Sequence, residues 1–328
     1  MNEPSRALSL AGVREAHARI APHIKRTPVL TSSALDAEFG TRLFFKCENL
    51  QRAGVFKVRG AFNAVLSLSD EEAAHGVVTS SSGNHAAAIS LAARTRGIPA
   101  YIAMPKVAPR SKVAAVRRYG GNIIWVQARG TVPTSEEYDS TVAETHARTQ
   151  ASVVHPYNDV RTILGQGTCA LEFLEDCPGI DTLLAPVGGG GLLSGTALAA
   201  KGLKPSIRLI GCEPAMADDA QQSYRAGKIV PQLDPRTIAD GLRTSLGDLT
   251  FPLIRQQADD IVTVSEESIA SAMRLVWEVM KIIIEPSGAV PLAAVMERRI
   301  AVQGRRVGII LSGGNVDLDR LPWQSAAP

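Results

Sequence analysis

Short apolar runs alternate with longer helix-patterned runs along most of the chain, and this alternation restricts the fold more than any single residue does. Arg42–Cys47, Gly76–Thr79, Ala100–Met104, Asn122–Val126, Val153–His155, Leu183–Val187, Arg208–Glu213 and Arg306–Leu311 read as strands. Ala61–Leu68, Ala86–Arg96, Lys112–Tyr119, Ser135–Thr149, Ile163–Glu175 and Leu192–Gly202 read as helices. An amphipathic helix over Leu8–Ile24, with Leu10, Val13, Ala16 and Ile20 on one stripe, precedes them. Thr27-Pro28 breaks that helix, and Ser33 is the expected cap of a short helix running to Phe39 and ended by Gly40. The pattern predicts an α/β protein with parallel sheets covered on both faces.

Its 328 residues leave room for a sizeable core and about two domains. No compositional boundary or linker is visible, so a second domain is expected as an insertion. A net charge of +3 without a basic stripe argues against nucleic acid as a partner, and 5% aromatic residues argue against single-strand stacking. Cys47, Cys169, Cys177 and Cys212 lack CxxC spacing and read as small buried hydrophobes in a reducing compartment, with no zinc or redox motif. The first residues, MNEPSRALSLAGVREAHARIAP, carry charge throughout and do not form a signal peptide. No stretch approaches the roughly 20 apolar residues of a membrane span, and the expectation is a cytoplasmic protein.

One cation attracts attention within this frame. AGVFKVRG, residues 53–60, lies between a strand-like and a helix-like stretch. Lysines are mostly solvated surface charges, and Lys57 read alone is one. Arg59 adds a second cation near the same expected helix start, where the helix dipole disfavours positive charge. Such local conflict is expected where function overrides stability.

Gly188–Gly191 is the sharpest motif, four glycines between a strand and a helix. Backbone N–H groups converge on an anion at such a turn, and glycine lets the anion approach closely. A tight turn needing positive φ is the plain alternative, but four glycines exceed that need. A Rossmann GxGxxG fails because Leu193 and Ser194 stand where glycine is required, and a Walker loop fails because no Lys-Ser/Thr pair follows Gly195. The loop suits a small cofactor's monophosphate, and together with a placed lysine it points to pyridoxal phosphate held as a Schiff base. SSSGNH, residues 80–85, at another strand-to-helix junction, reads either as a carboxylate cradle or as simple N-capping. SGGN, residues 312–315, reads equally as a glycine turn or a site. Glu213, Asp218 and Asp219 are close enough in sequence to hold a hard cation, although solvated carboxylates are the default.

VFKVRGAFNAV, SSSGNHAAA, PVGGGGLLSG, EPAMADD, ADGLRTSLG, IIIEPSGAVPLAA and LSGGNVDL occur in one order from Val55 to Leu318. On these seven motifs the chain resembles the serine racemase and serine/threonine dehydratase family of fold-type II pyridoxal-phosphate enzymes, over about Leu8 to Leu321. The resemblance implies two open, doubly wound, mainly parallel-sheet domains of the tryptophan synthase β-like kind. A large cofactor-binding domain would comprise 1–75 plus 152–328, and a small substrate-closing domain 76–151. A homodimer acting on a small amino acid is also implied.

The resemblance further implies that Lys57 is the Schiff-base lysine and the base for the substrate α-proton. Phe56 would pack on the cofactor ring, and Asn84 would bond its 3-hydroxyl. Gly188, Gly189, Gly190 and Gly191, with Leu192, would hold the phosphate, and Gly241 and Glu285 would complete the cofactor pocket. Ser312 would meet the pyridine nitrogen, where a hydroxyl cannot hold a full positive ring charge, favouring β-elimination over transamination-type chemistry. Ser81, Ser82, Gly83, Asn84 and His85 would hold the substrate carboxylate. Ser82 would also face the substrate opposite Lys57, where isoleucine-pathway dehydratases carry alanine. Glu213, the Ala217 carbonyl and Asp219 would bind Mg2+ or Mn2+, favoured over zinc because every ligand is a hard oxygen.

The expected activity is dehydration of L-serine and L-threonine to a 2-oxo acid and ammonia. Serine racemisation with dehydration as a side activity, and threo-3-hydroxyaspartate dehydration, are the alternatives; a non-catalytic cofactor-binding protein would have no use for the nucleophile Lys57. The chain departs from the family at Val55, where serine or alanine is usual, and in the lengthened stretch Ala128–Tyr138. Arg129 in that stretch is a candidate cation for a second substrate carboxylate. No C-terminal regulatory domain is expected after Leu321.

Overall fold

The computed structural model describes residues 8–130 and 133–324, arranged around two sheets. Among the described residues ten strands run in chain order as β1 Val29–Leu30, β2 Arg42–Cys47, β3 Val77–Ser80, β4 Ala100–Pro105 and β5 Asn122–Val126, then β6 Ser152–Val153, β7 Thr182–Pro186, β8 Arg208–Pro214, β9 Asp260–Val264 and β10 Arg306–Leu311. The larger sheet has the order β1-β2-β10-β7-β8-β9 and the smaller one β5-β4-β3-β6. Every pairing is parallel except the edge pair β1–β2. The expected α/β class with helix-covered parallel sheets is therefore the observed one.

The central strands explain the apolar runs. β2 and β10 bury five of their six residues each, because helices cover both faces of the larger sheet. One core, around Phe45, Leu292 and Ile309, fills one face; a second, around Ile163, Phe173 and Leu193, fills the other. A third packs Val58, Phe62 and Val65 of the helix Lys57–Leu66 against Ile89 and Ile102 of the smaller sheet's layer. Each fully buried side chain of this size stabilises the fold by about 1.5–3 kcal/mol. Cys47, Cys169 and Cys212 are buried and Cys177 is half-buried. Among the described residues no helix is long and apolar enough to cross a membrane.

Three local expectations are corrected. The first helix spans Leu10–Ile20, and Pro22 turns its end into a 3-10 turn. The cap of the helix Ser33–Phe39 is Ser32, whose hydroxyl accepts from the Leu35 N–H, with Gly40 closing the helix at φ 63°. The helix expected from Ala61 begins at Lys57, so the lysine is its first residue. β9 and the helix Pro286–Met296 lie in a stretch that the apolar periodicity left unassigned.

In the larger sheet the chain winds from β7 through β8 to β9 on one side, while β10 lies on the other side of β7, next to β2. That reversal opens a crevice beyond the carboxyl ends of the strands, where open α/β sheets bind ligands. The segments following β2, β7 and β10 carry Lys57, the glycine run and Ser312, and the segment following β3 carries Ser81–His85.

Candidate active site

The lysine turn is fixed to the end of β10. The Phe56 N–H donates to the Ser312 carbonyl at 3.0 Å, and Val55 bridges Gly313. Ala53 and Gly54 both take positive φ to make the turn, and a Cβ on Gly54 would meet Asn315 Oδ1 at 2.7 Å. Lys57 and Arg59, two residues apart at a helix start, diverge. Arg59 enters a fully buried cluster, donating to Glu48 at 2.8 and 2.9 Å and to Glu172 at 2.8 and 2.9 Å, with Lys46 also on Glu172 at 2.9 Å. Two cations and two carboxylates neutralise one another there, and the helix start is anchored.

Lys57 turns toward the crevice instead. Its Nζ donates to the Pro156 carbonyl at 2.9 Å and lies 5.2 Å from the Phe56 ring centroid. Burial lowers its pKa from 10.5 to about 8, which leaves a useful fraction of free amine near neutrality.

Two adjoining cavities share Lys57, Asn84, Tyr157, Gly241 and Thr244. The inner one, about 70 Å³, is lined by Phe56, Gly188–Gly191, Leu192, Glu285 and Ser312 among others. Gly190 takes φ 88° just before the helix Gly191–Leu203, whose first-turn N–H groups have no intrahelical partner. The Tyr157 ring closes over this loop, and a Cβ on Gly189 would come within 2.5 Å of it. Glycine is required for packing at Gly189 and for turning at Gly190.

Asn84 is held on both sides. Its Nδ2 donates to Glu285 at 2.8 and 3.1 Å, and its Oδ1 accepts from Asn315 Nδ2 at 2.9 Å. Burial, aided by Asp240 and partly offset by Lys112 and the Asn84 hydrogen bond, raises the Glu285 pKa to about 7. Gly241 donates its N–H to Ser287 Oγ at 3.1 Å.

The outer cavity, about 270 Å³, contains Ser81, Ser82, Gly83, Asn84 and His85 together with Lys57. Ser82 is exposed to it, whereas His85 is buried with neither ring nitrogen hydrogen-bonded. Burial, followed by the charge of Lys57, holds His85 well below the ordinary histidine pKa. His155 is lowered for the same two reasons, in the same order. Its Nδ1 accepts from the Asn158 N–H at 2.9 Å and the Tyr157 N–H at 3.3 Å, so in the neutral ring the proton sits on Nε2.

His155, Pro156 and Tyr157 are functional-site residues that periodicity did not single out, having read His155 only as the end of a strand. The outer wall also contains Lys112 and Asp240, joined by an ion pair. Arg129, the expected partner for a second carboxylate, instead lines a separate groove with Trp125, Glu137 and Arg148. As a candidate for the second substrate carboxylate Arg129 is thereby corrected: it lines a different groove, whereas Ser135, Tyr138 and Asp139, farther along, line the cavity that holds Lys57.

The expected metal ligands come together in part. Glu213, in β8, accepts from the Ala220 N–H at 3.0 Å and the Gln221 N–H at 2.8 Å. Asp219 Oδ1 accepts from Gln232 at 3.2 Å, while its Oδ2 is buried without a partner. Burial and then the charge of Asp219 raise the Glu213 pKa well above its usual range; burial raises Asp219 to about 7. Asp218 instead accepts from Gln222 at an exposed edge. Among the described residues no cluster of three or more His, Cys, Asp or Glu side chains forms a metal centre. An unpaired carboxylate oxygen beside a second buried acid nevertheless suits a hard cation.

For pyridoxal phosphate the residues fit without exception: a glycine cradle with free N–H groups, an amine of lowered pKa, an aromatic wall and a hydroxyl at the end of β10. The sequence pattern of the pyridoxal-phosphate dependent enzymes matches residues 20–313. The chain is 54% identical to a serine racemase of Arabidopsis thaliana, over 99% of this chain and 98% of that one. It is 50% identical to a beta-hydroxyaspartate dehydratase of Paracoccus denitrificans, over 94% and 96% respectively. A solved structure of maize serine racemase superposes with a TM-score of 0.91 at 49% identity, covering 95% of this chain and 94% of that one. The chain belongs to the pyridoxal-phosphate dependent enzymes of fold-type II, in the group that contains serine racemases and the beta-hydroxyaspartate dehydratase.

Proposed function

We propose that the protein acts at the α-carbon of small β-hydroxy amino acids, with L-serine and L-threonine as its reference substrates. It dehydrates them to a 2-oxo acid and ammonia and racemises serine at the same centre. The observation that carries this reading is that Lys57 and the exposed Ser82 line one cavity. A base for one face of the α-carbon and a hydroxyl for the other are both available there.

Pyridoxal phosphate, when bound, supplies the electron sink that acidifies the substrate Cα–H. Gly188–Leu192 would hold its phosphate, Ser312 its ring nitrogen, Asn84 its 3-hydroxyl through the amide hydrogen that Glu285 leaves free, and Phe56 its ring face. The N–H groups around Ser81–Asn84, at the start of the helix Asn84–Arg96, would receive the substrate carboxylate. Neutral Lys57 Nζ takes the α-proton on its own face, and Ser82 Oγ gives or takes one on the opposite face. The β-hydroxyl leaves as water after protonation, for which the proton on His155 Nε2 adds a donor to that wall, and a second water then hydrolyses the released enamine to the 2-oxo acid and ammonia.

Residues 76–151, carrying most of the smaller sheet, would act as the part that closes on substrate. Mg2+ or Mn2+ at Glu213, Asp219 and the Ala217 carbonyl would neutralise the buried acids, a structural role away from Lys57. A second reading, dehydration of 3-hydroxyaspartate, draws support from Lys112 in the cavity wall. The test is a panel of L- and D-serine, L-threonine and both threo-3-hydroxyaspartates, scoring oxo acid and enantiomer together. Turnover of none of them would remove the reading.

A further inference from the structure

Besides Lys57, Lys112 is the one ammonium lining the 270 Å³ cavity among the described residues. It belongs to the helix Arg110–Arg118 of the smaller sheet's layer, and its stem lies along the carboxylate loop. A Cβ on Gly83 would meet Lys112 Cδ at 2.5 Å. Its Nζ donates to Oδ2 of Asp240, in the turn Asp240–Leu242 of the other layer.

The two partners differ in how firmly they are held. The Lys112 side chain is 13% exposed, whereas that of Asp240 is 36% exposed. The ammonium is held against the loop, whereas the carboxylate, more than a third exposed, has water to turn to when another anion takes its place. Asp139 also lines the cavity, but it is exposed on the helix Ser135–Thr149 and solvent screens it. Arg129 faces another groove.

We propose that Lys112 and Asp240 form an exchangeable ion pair that sets side-chain specificity. This rests on the reading that the cavity takes a β-hydroxy amino acid. Asp240 is the resting counter-ion of Lys112 when the substrate side chain is neutral. A substrate with a second carboxylate beyond the β-hydroxyl displaces Asp240 and takes its place on Lys112. Such an exchange admits dicarboxylic substrates without leaving an unpaired cation when the substrate is serine.

The test measures kcat/KM of the holoenzyme for threo-3-hydroxyaspartate and L-serine, in wild type, Lys112→Gln and Asp240→Asn. Lys112→Gln lowers the hydroxyaspartate-to-serine ratio by about tenfold or more, the scale of one charge-assisted hydrogen bond, chiefly through KM. Asp240→Asn, which removes the competing carboxylate, raises the same ratio. A merely structural role would move both variants in one direction, and that result overturns the proposal, as does a ratio that neither variant changes. Wild-type turnover of serine with none of hydroxyaspartate overturns it while leaving the wider reading intact. Turnover of neither overturns both.

Discussion

Lys57 Nζ and the carbonyl oxygen of Pro156 are joined by a hydrogen bond of 2.9 Å across 99 residues of chain. The same short segment sets His155 against the outer cavity and Tyr157 over the glycine loop, with their rings edge to face at 4.6 Å. One stretch of backbone thus orients the amine, walls the substrate space and closes the phosphate end. Chemistry at Lys57 depends on this support as much as on the lysine itself.

Lys57, with its pKa lowered to about 8 by burial, should govern reconstitution. Only the neutral amine attacks the cofactor aldehyde, so the rate at which cofactor-free protein takes up pyridoxal phosphate should rise with pH through about 8 and then level. Stopped-flow absorbance measures it. A rate still climbing steeply above pH 9 would show an ordinary solvated lysine.

Ser82→Ala should reduce racemisation of serine by roughly 10²-fold or more, the usual worth of a positioned proton-transfer group. Dehydration of L-serine, which needs only the Lys57 face, should fall far less. Chiral chromatography beside an oxo-acid assay resolves the two; equal losses would contradict a second-face role.

Arg59→Met should destabilise the fold without touching the cavity. The substitution leaves Glu48 and Glu172 buried with only Lys46 to balance them, a change that costs about 3–5 kcal/mol. Urea titration measures it. A loss under about 1 kcal/mol would mean that water or relaxation replaces the guanidinium readily.

Chelation should lower Tm, and added Mg2+ or Mn2+ should restore it. A cation at one hundred times its dissociation constant stabilises the fold by about 2.7 kcal/mol. Calorimetry with and without EDTA decides the point, and a Tm indifferent to both would leave Glu213 and Asp219 as buried acids without a cation.

Much of this architecture is readable in the residues. β2 and β10 stand where their apolar runs lie, because parallel strands buried on both faces write themselves as continuous apolar sequence. The glycine run is legible because four glycines have few other uses. Ser32 in place of Ser33 as a cap, and Lys57 in place of Ala61 as a helix start, are differences of boundary that tertiary contacts settle: Phe56 is tied to Ser312, far away in sequence. Tyr157 over Gly189, and Lys112 against Asp240, are contacts between distant segments and leave no local pattern. Arg129 shows the converse: a suggestive residue in a suggestive loop, facing a different groove.

The most direct measurement pairs the absorption spectrum and the serine turnover of Lys57→Ala with those of wild type, after saturation with pyridoxal phosphate. Wild type should show the visible band of lysine-bound cofactor and release oxo acid, and the variant should show neither. A variant that keeps wild-type turnover would contradict the assignment of the chemistry to Lys57.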